Sequence, residues 1–563
     1  MWKFSELPYE RPNVPAFKKQ VKAMCKAVES APNYEAQKAA LKMLDKLVHD
    51  FSSLGAIAHI RYDINTNDEF YAEEKKFWDK TMPSLIPLEK KRMELMIHLK
   101  FRKEFEAEYG TQMFKEAEAQ LRLADKRLML SMVQEAGLKT RYAKLTAGCT
   151  TQFRGEKCNF YGLLKYMESD DREIRKAAFM EWARLYESIA PELDEIYDKL
   201  IGLRCKMAEK IGMSGYIEMA YLDRGRYDYT PSEVYKFREN IKKYVVPAVA
   251  KLYEQQRERI GVDKLRYYDE KYAYPDGNPT PIGTRDELVE KAAEMYRELS
   301  PETGEFFDFM KAHELFDLET RDGKRMGGYC TTIASKLSPF IFSNFNGTSA
   351  DVDVLTHEAG HAFQAYLAMR SIPWSEQMHA PMEICEVHSM SMEHFTYPWM
   401  DKFFGDKADK YRSAHLQDAL KTIPYLVAVD DFQHRVFEKP GMTRDERYAC
   451  WKEIEGEYLP WRDYDGNEFL EKGGFWMQKQ HIFLYPFYYI DYALAQTCAF
   501  GFYIKMCEDG KAAWEDYLRL CKAGGCLGYF ELLELANLPN PFAEGTVQNM
   551  VDAVMKKIEE QAR

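Results

Sequence analysis

Paired cysteines are missing from this chain. Its 11 cysteines run singly from Cys25 to Cys526, with no Cys-x-x-Cys among them. An odd, scattered set of this kind argues against a disulfide framework and suits a reducing compartment, so a cytoplasmic location is expected. Basic clusters are missing too. The formal net charge is -12, whereas a phosphate-binding surface needs grouped Lys and Arg, so nucleic acid is not an expected partner. Nor is there a long apolar run. Residues 482–504 come nearest, but Pro486, Asp491 and Gln496 interrupt them, so no membrane span is expected. The opening residues, Met1 to Pro8, form no apolar leader, and no secretory signal is expected. No internal repeat or low-complexity tract is visible.

What is present is an ordinary globular balance, 46% hydrophobic and 30% charged over 563 residues. That is enough for several domains or for one body of two lobes. The first 150 residues read as successive helices. Ala40, Leu41, Leu44, Leu47 and Val48 recur at helical spacing within 35–51, and the pattern continues over 104–132. It lapses at 148–157, which divides an N-terminal helical lobe at 1–150 from a second region at 151–563. Helices resume over 170–212. Thr230-Pro231-Ser232-Glu233 and Thr284-Arg285-Asp286-Glu287 are capping-box helix starts, with a surface loop rich in Pro and Gly at 274–281 between them. The texture changes at 326–346, where 327–333 and 340–345 are short β-type runs. A sheet edge beside the following helix could bind an extended peptide by strand addition, or simply support the helix.

That helix carries the most informative residues. His357-Glu358-Ala359-Gly360-His361 sets two histidines at i and i+4, on one helix face. From there both imidazoles reach one Zn²⁺, and the glutamate faces the open coordination position. With 12 histidines in the chain, a chance match is expected only about a few times in a hundred. Leu355, Ala359, Ala362 and Tyr366 form an apolar stripe that partly buries the helix, and Thr348-Ser349-Ala350-Asp351 offers its N-terminal cap. Gly360 costs roughly 1 kcal/mol relative to Ala within a helix and signals close packing against a neighbour.

A catalytic zinc takes three protein ligands and a water. Position 367 is Leu367, so the class whose third histidine lies there is excluded. The remaining choice is a glutamate from a second helix. Within 381–393, Glu386, Ser389 and Glu393 share one helix face. Periodicity leaves Glu386 and Glu393 both open as the ligand, the other holding a zinc histidine by its free N–H. Further on, Gly473-Gly474-Phe475-Trp476 is a candidate mobile loop. It is followed by His481 and by Tyr485, Tyr489 and Tyr492 at i, i+4 and i+7, a stripe that on pattern alone is more often core than catalytic.

Several of these segments together carry a resemblance. They are Gly327-Gly328-Tyr329-Cys330, Asn344-Phe345-Asn346-Gly347-Thr348, the motif through Ala362, Glu386-Val387-His388-Ser389, and His481 followed by Pro486-Phe487-Tyr488-Tyr489-Ile490-Asp491-Tyr492. The chain resembles the thimet oligopeptidase and oligoendopeptidase F family of zinc metallopeptidases, and within it the compact bacterial members of the Pz-peptidase type. The resemblance runs over most of the chain. It implies a mainly α fold, a two-lobed helical body with a small β-sheet beside the zinc helix and a deep substrate channel between the lobes. It implies one Zn²⁺ per chain on His357, His361 and Glu386, with water as the fourth ligand.

The zinc core then falls at 326–395 and the substrate segment at 473–495. By the same resemblance Glu358 is the general base, and His481 and Tyr492 are donors to the oxyanion. Tyr485, Tyr489, Gly328 and Tyr329 are implied as substrate-binding residues. Glu393 matches the family's later glutamate on the same helix, and His388 stands where relatives carry other residues. The expected activity is hydrolysis of internal bonds in short unfolded peptides. The rivals are a zinc exopeptidase, which can use the same motif with a downstream glutamate, and a peptide-binding scaffold with a structural zinc. The second is disfavoured because such sites are usually closed by four protein ligands.

Overall fold

The computed structural model describes residues 2–561. Helices dominate, at 72%, and the fold is mainly α with two small sheets. In chain order, the elements used below begin with α1 (Val14–Glu29), α2 (Tyr34–Ile64), the hairpin of β1 (Thr151–Phe153) and β2 (Glu156–Cys158), and α3 (Arg172–Lys210). Next come β3 (Phe316–Glu319), β4 (Tyr329–Ile333), β5 (Ser338–Phe345), α4 (Ala350–Ser371) and α5 (Met382–Phe395). The last are α6 (Ala408–Glu438), α7 (Tyr489–Glu508) and α8 (Gly510–Ala523).

Helices begin where a side chain can take one of the first free N–H groups. Asn33 accepts from Ala36 N ahead of α2, and Asp171 accepts from Glu173 N ahead of α3. The capping boxes at Thr230 and Thr284 both close. The motif helix α4 differs from expectation. Ser349 makes no side-chain cap bond; Asp351 instead accepts from the backbone N–H of Asn346 at 2.9 Å and of Gly347 at 2.8 Å. This ties the turn after β5 onto the first turn of the helix. The periodic run at 104–132 is also not continuous. It splits into helices Arg102–Tyr109, Gln112–Leu123 and Met129–Gly148, the first ending at Gly110 with φ 81°, a conformation glycine adopts at little cost. The lapse at 148–157 is the β1–β2 hairpin, closed by Arg154 and Gly155 at φ 51° and 87°, as the twist of a two-residue hairpin turn requires.

Contacts group the chain into two compact units. The first combines residues through 124 with 280–409 and 498–539. Its helical core sets Phe17, Val21 and Val28 of α1 against Leu41, Leu44 and Phe51 of α2, with Trp78, Phe105 and Trp374 packed onto them. Burying each large apolar side chain contributes about 1.5–3 kcal/mol. This unit also holds a three-stranded sheet in the order β3-β5-β4, with β3 parallel and β4 antiparallel to β5. The expected runs correspond to β4 and β5. The third strand, β3, is four residues long and too short for period-2 alternation to register.

The second unit combines 125–279, 410–497 and the residues from 540. Its spine is α3, with Phe179, Trp182, Leu193, Tyr197 and Leu200 buried. Tyr197 packs on Trp476 at 5.0 Å between ring centroids, and Trp476 stacks on Phe483 at 5.6 Å. The Gly473–Trp476 segment, expected as a mobile loop, is therefore part of an aromatic core. A Cβ on Gly473 would lie 2.1 Å from the Tyr448 carbonyl oxygen, and one on Gly474 would lie 2.6 Å from Phe469. These glycines serve close packing. Among the described residues no helix is long and apolar enough to cross a membrane.

Candidate metal centre and aromatic segment

The candidate metal centre lies in the first unit and depends on how closely α4 meets α5. A Cβ on Gly360 would fall 2.6 Å from Ser389 Cα and 2.7 Å from the His388 carbonyl oxygen, so only glycine permits the approach. Tyr517 of α8 donates to that carbonyl at 2.8 Å and so holds α5 at this same contact. The approach brings three predicted residues together. His357 Nε2 and His361 Nε2 each lie 3.5 Å from Glu386 Oε2, and one ligand atom from each residue falls within 4.8 Å of the others. A tetrahedral zinc with bonds of about 2.0–2.2 Å spaces its ligand atoms about 3.3–3.6 Å apart. The donor set fits such an ion.

The surrounding bonds orient these donors. His357 Nδ1 lies 2.5 Å from Glu393 Oε1; an Nδ1–H donated to that carboxylate leaves the lone pair on Nε2, where a metal needs it. Ser389 Oγ donates to the Glu386 carbonyl at 3.0 Å and to its Oε2 at 3.2 Å. Burial opposes charge on His357, yet hydrogen bonds to Glu386 and Glu393 outweigh it and hold the imidazole well above its ordinary pKa. Burial would raise Glu386 as well, but the attraction of His361 and His357 holds that carboxyl below the usual carboxylate range. Both shifts report a pocket whose carboxylates favour a cation. His388 is wholly buried, and burial followed by the charge of His361 pushes it down to about 3, so its ring is neutral.

Glu358 is half-buried on α4 between the two histidines. Burial and then the negative charge of Glu358 raise the Cys330 thiol, which sets β4 beside the motif glutamate. Tyr329 on β4 donates its hydroxyl to Asp63 at 2.9 Å and stacks on Phe342 at 5.0 Å. A Cβ on Gly328 would lie 3.3 Å from the Phe342 carbonyl oxygen. The Tyr329 side chain and the bare Gly328 thus hold the strand in place. Since β4 is an edge strand, its backbone is what can meet a ligand.

The second unit holds the aromatic segment. His481 sits in the short helix Gln480–Leu484, and α7 begins at Tyr489. Between them Phe487 takes φ 61° next to Pro486, so Tyr485 does not share a helix face with Tyr489 and Tyr492 as the spacing predicts. The rings gather nonetheless. From the His481 ring, Tyr489 lies at 4.7 Å, Tyr485 at 5.9 Å and Tyr492 at 6.2 Å. Tyr488 joins them, stacked on His481 at 6.1 Å and edge-on to Tyr492 at 5.1 Å. The stripe as read from spacing omits it, although on a continuous helix Tyr488 would stand at i+3 from Tyr485 and share that face. Tyr485 is exposed.

Arginines from earlier in the chain hold this turn. Arg204 donates to the Phe483 carbonyl at 2.5 Å, Arg224 to that of Pro486 at 3.2 Å, and Arg226 both to Phe487 O and to Asp491 Oδ1 at 2.5 Å. No local pattern could have identified these arginines, since they act across more than 260 residues of chain.

The model of the peptidase M3 N-terminal domain matches residues 4–124, and that of peptidase family M3 matches 165–300 and 302–552. A solved structure of Pz peptidase A with inhibitor 2 is 45% identical, with TM-score 0.94 and 99% of each chain covered. Oligopeptidase PepF of Bacillus subtilis is 20% identical over 606 residues, which cover 98% of this chain and 84% of that protein. Group B oligopeptidase PepB of Streptococcus agalactiae is 23% identical over 374 residues, covering 65% of this chain and 59% of that protein. The match therefore spans less than two thirds of PepB's length. With family models covering most of its length, the chain belongs to peptidase family M3 and is a metallo-endopeptidase.

Proposed function

We propose that the chain is a zinc-dependent oligoendopeptidase that cuts internal bonds of short unfolded peptides. The observation that carries this reading is the trio His357 Nε2, His361 Nε2 and Glu386 Oε2, with both nitrogens 3.5 Å from the carboxylate oxygen. These residues would hold one Zn²⁺, which when bound acts as a Lewis acid toward a carbonyl and lowers the pKa of its water toward about 7. Three protein donors rather than four support a catalytic site over a structural one.

Glu358 takes the proton of the attacking water and returns it to the leaving amine. Its carboxylate is available for this because Glu386, from the other helix, is the one that meets both Nε2 atoms. His481 and Tyr492 donate to the oxyanion that develops at the scissile carbonyl, where removing one donor typically costs about 10²–10³ in rate. Tyr485 and Tyr489 contact the substrate from the same ring cluster. The edge of β4 from Gly328 and Tyr329 onward aligns the peptide backbone by strand addition. The division into an N-terminal lobe at 1–150 and a catalytic region at 151–563 belongs to this reading. A cytoplasmic setting is supported by the 11 cysteines, none of which is in a disulfide.

The test uses a peptide blocked at both ends. The wild-type enzyme is expected to cut it internally, and Tyr492→Phe to lower kcat by about 10²–10³ with little change in KM. An intact blocked peptide would mark an exopeptidase, and an effect confined to KM would make Tyr492 a binding residue only.

A further inference from the structure

Away from the metal ligands, the first unit holds a cavity of about 260 Å³ that is partly open to solvent. Part of its lining is apolar, from Leu41, Leu44, Met96 and Met113. Part is charged. Asp45, Glu116 and Glu376 line it together with Arg92. Arg92 is already committed to Glu89 at 2.7 Å and Glu376 at 3.2 Å. Asp45 takes the Ser375 hydroxyl, with His49 Nε2 4.0 Å away, and Glu116 takes the Gln112 amide at 3.1 Å. Burial pushes the Glu116 carboxyl up to about 7; burial and then the charge of Glu376 raise Asp45. Ionising these groups calls for a further cation.

Donors among the lining residues point to a second requirement. Trp374 lines the cavity and is wholly buried, yet its indole N–H has no hydrogen-bond partner, and neither does Arg92 Nε. Buried donors left in this way call for an acceptor. A fitting ligand therefore presents a cation, an acceptor oxygen close to it and an apolar body. The first residue of a peptide supplies all three as its ammonium, its carbonyl and its side chain. The volume lies below the roughly 300–1,000 Å³ of drug-sized pockets, which suits one residue rather than a length of chain.

We propose that this cavity binds the free N-terminus of a peptide whose first residue carries an apolar side chain. The site is distinct from the metal centre and does not rest on the reading of that centre. Trp374 and Glu376 belong to the connector between α4 and α5, so an occupant touches the segment joining the two helices that carry His357, His361 and Glu386.

The test is calorimetric titration with L-leucinamide and with 4-methylpentanamide, the same amide without the ammonium. L-leucinamide is expected to bind at one site per chain, at least ten-fold more tightly than 4-methylpentanamide. Ala117→Phe, which fills the cavity, and Glu116→Gln, which removes a carboxylate, are each expected to weaken L-leucinamide at least five-fold with the circular dichroism spectrum unchanged. Equal affinity for the two amides, or L-leucinamide binding that both variants leave intact, overturns the proposal.

Discussion

The outer nitrogen of His357 decides what its inner nitrogen can do. With Nδ1 held by Glu393 at 2.5 Å, the lone pair faces Glu386 from Nε2. A partner of this kind is typically worth about 10–100-fold in metal affinity, whereas Glu386 supplies a donor atom itself. Glu393→Gln is therefore expected to bind zinc about 10–100-fold more weakly and to recover activity at saturating zinc. Glu386→Ala is expected to lose zinc altogether. Metal content after equilibrium dialysis checks both, and equal losses in the two variants would contradict the assignment. The pair His357 and His361 was legible because one helical turn fixes their relation. The choice between Glu386 and Glu393 was not, because both occupy one face of α5 and only its docking on α4 separates their roles.

At the scale of elements, the contact of α4 with α5 is the most sensitive feature. On helix propensity alone, Gly360→Ala would stabilise the protein by about 1 kcal/mol. The added Cβ would meet backbone atoms of Ser389 and His388 at 2.6 and 2.7 Å, however, and backbone cannot turn aside as a side chain can. Overpacking of this sort typically costs about 1–3 kcal/mol, and here it moves Glu386 relative to both histidines. Gly360→Ala is expected to be less stable by up to about 2 kcal/mol in chemical denaturation, the overpacking cost less the propensity gain, and to bind zinc more weakly; a variant more stable than wild type, or one with unchanged zinc affinity, would contradict this. The glycine was readable as a sign of close packing, though not its partner. Gly473 and Gly474 were read as mobility because the pressure on them comes from Tyr448 and Phe469, which no local pattern connects to them. The break after Leu484 escaped for a similar reason. The turn at Phe487 is held by Arg226 and by Gln433, whose amide oxygen accepts from Phe487 N at 2.9 Å.

For the whole molecule, acid sensitivity follows from histidines that are buried neutral. His434 lies 3.1 Å from the Tyr221 hydroxyl and 3.5 Å from Asp430. Burial, then Arg238 and Arg226, hold it well below its ordinary pKa. Below about pH 6.5 the unfolded chain takes up a proton that the native state refuses, so this group makes stability fall as pH falls. Between pH 7 and pH 5 the effect is at most about 2 kcal/mol, the full cost of protonating an ordinary histidine in the unfolded chain alone. His434→Phe is expected to lose less stability than wild type over that interval, by up to about 2 kcal/mol, whatever it loses at pH 7 from the missing hydrogen bond. Denaturation at the two pH values checks it, and identical slopes would contradict it. At this scale the helical class was legible, because periodicity and capping are local. The interleaving of three stretches of chain in each compact unit was not, because it is set by contacts between residues hundreds of positions apart.

The central claim is that His357, His361 and Glu386 hold the metal while Glu358 moves the proton. It meets its most direct test in one preparation of Glu358→Gln, with zinc content and turnover of a doubly blocked peptide measured together. The account predicts one zinc per chain and turnover lowered about 10²–10⁴-fold, the usual contribution of a positioned general base. Near-normal turnover at full zinc occupancy, or loss of the zinc along with the activity, would contradict it.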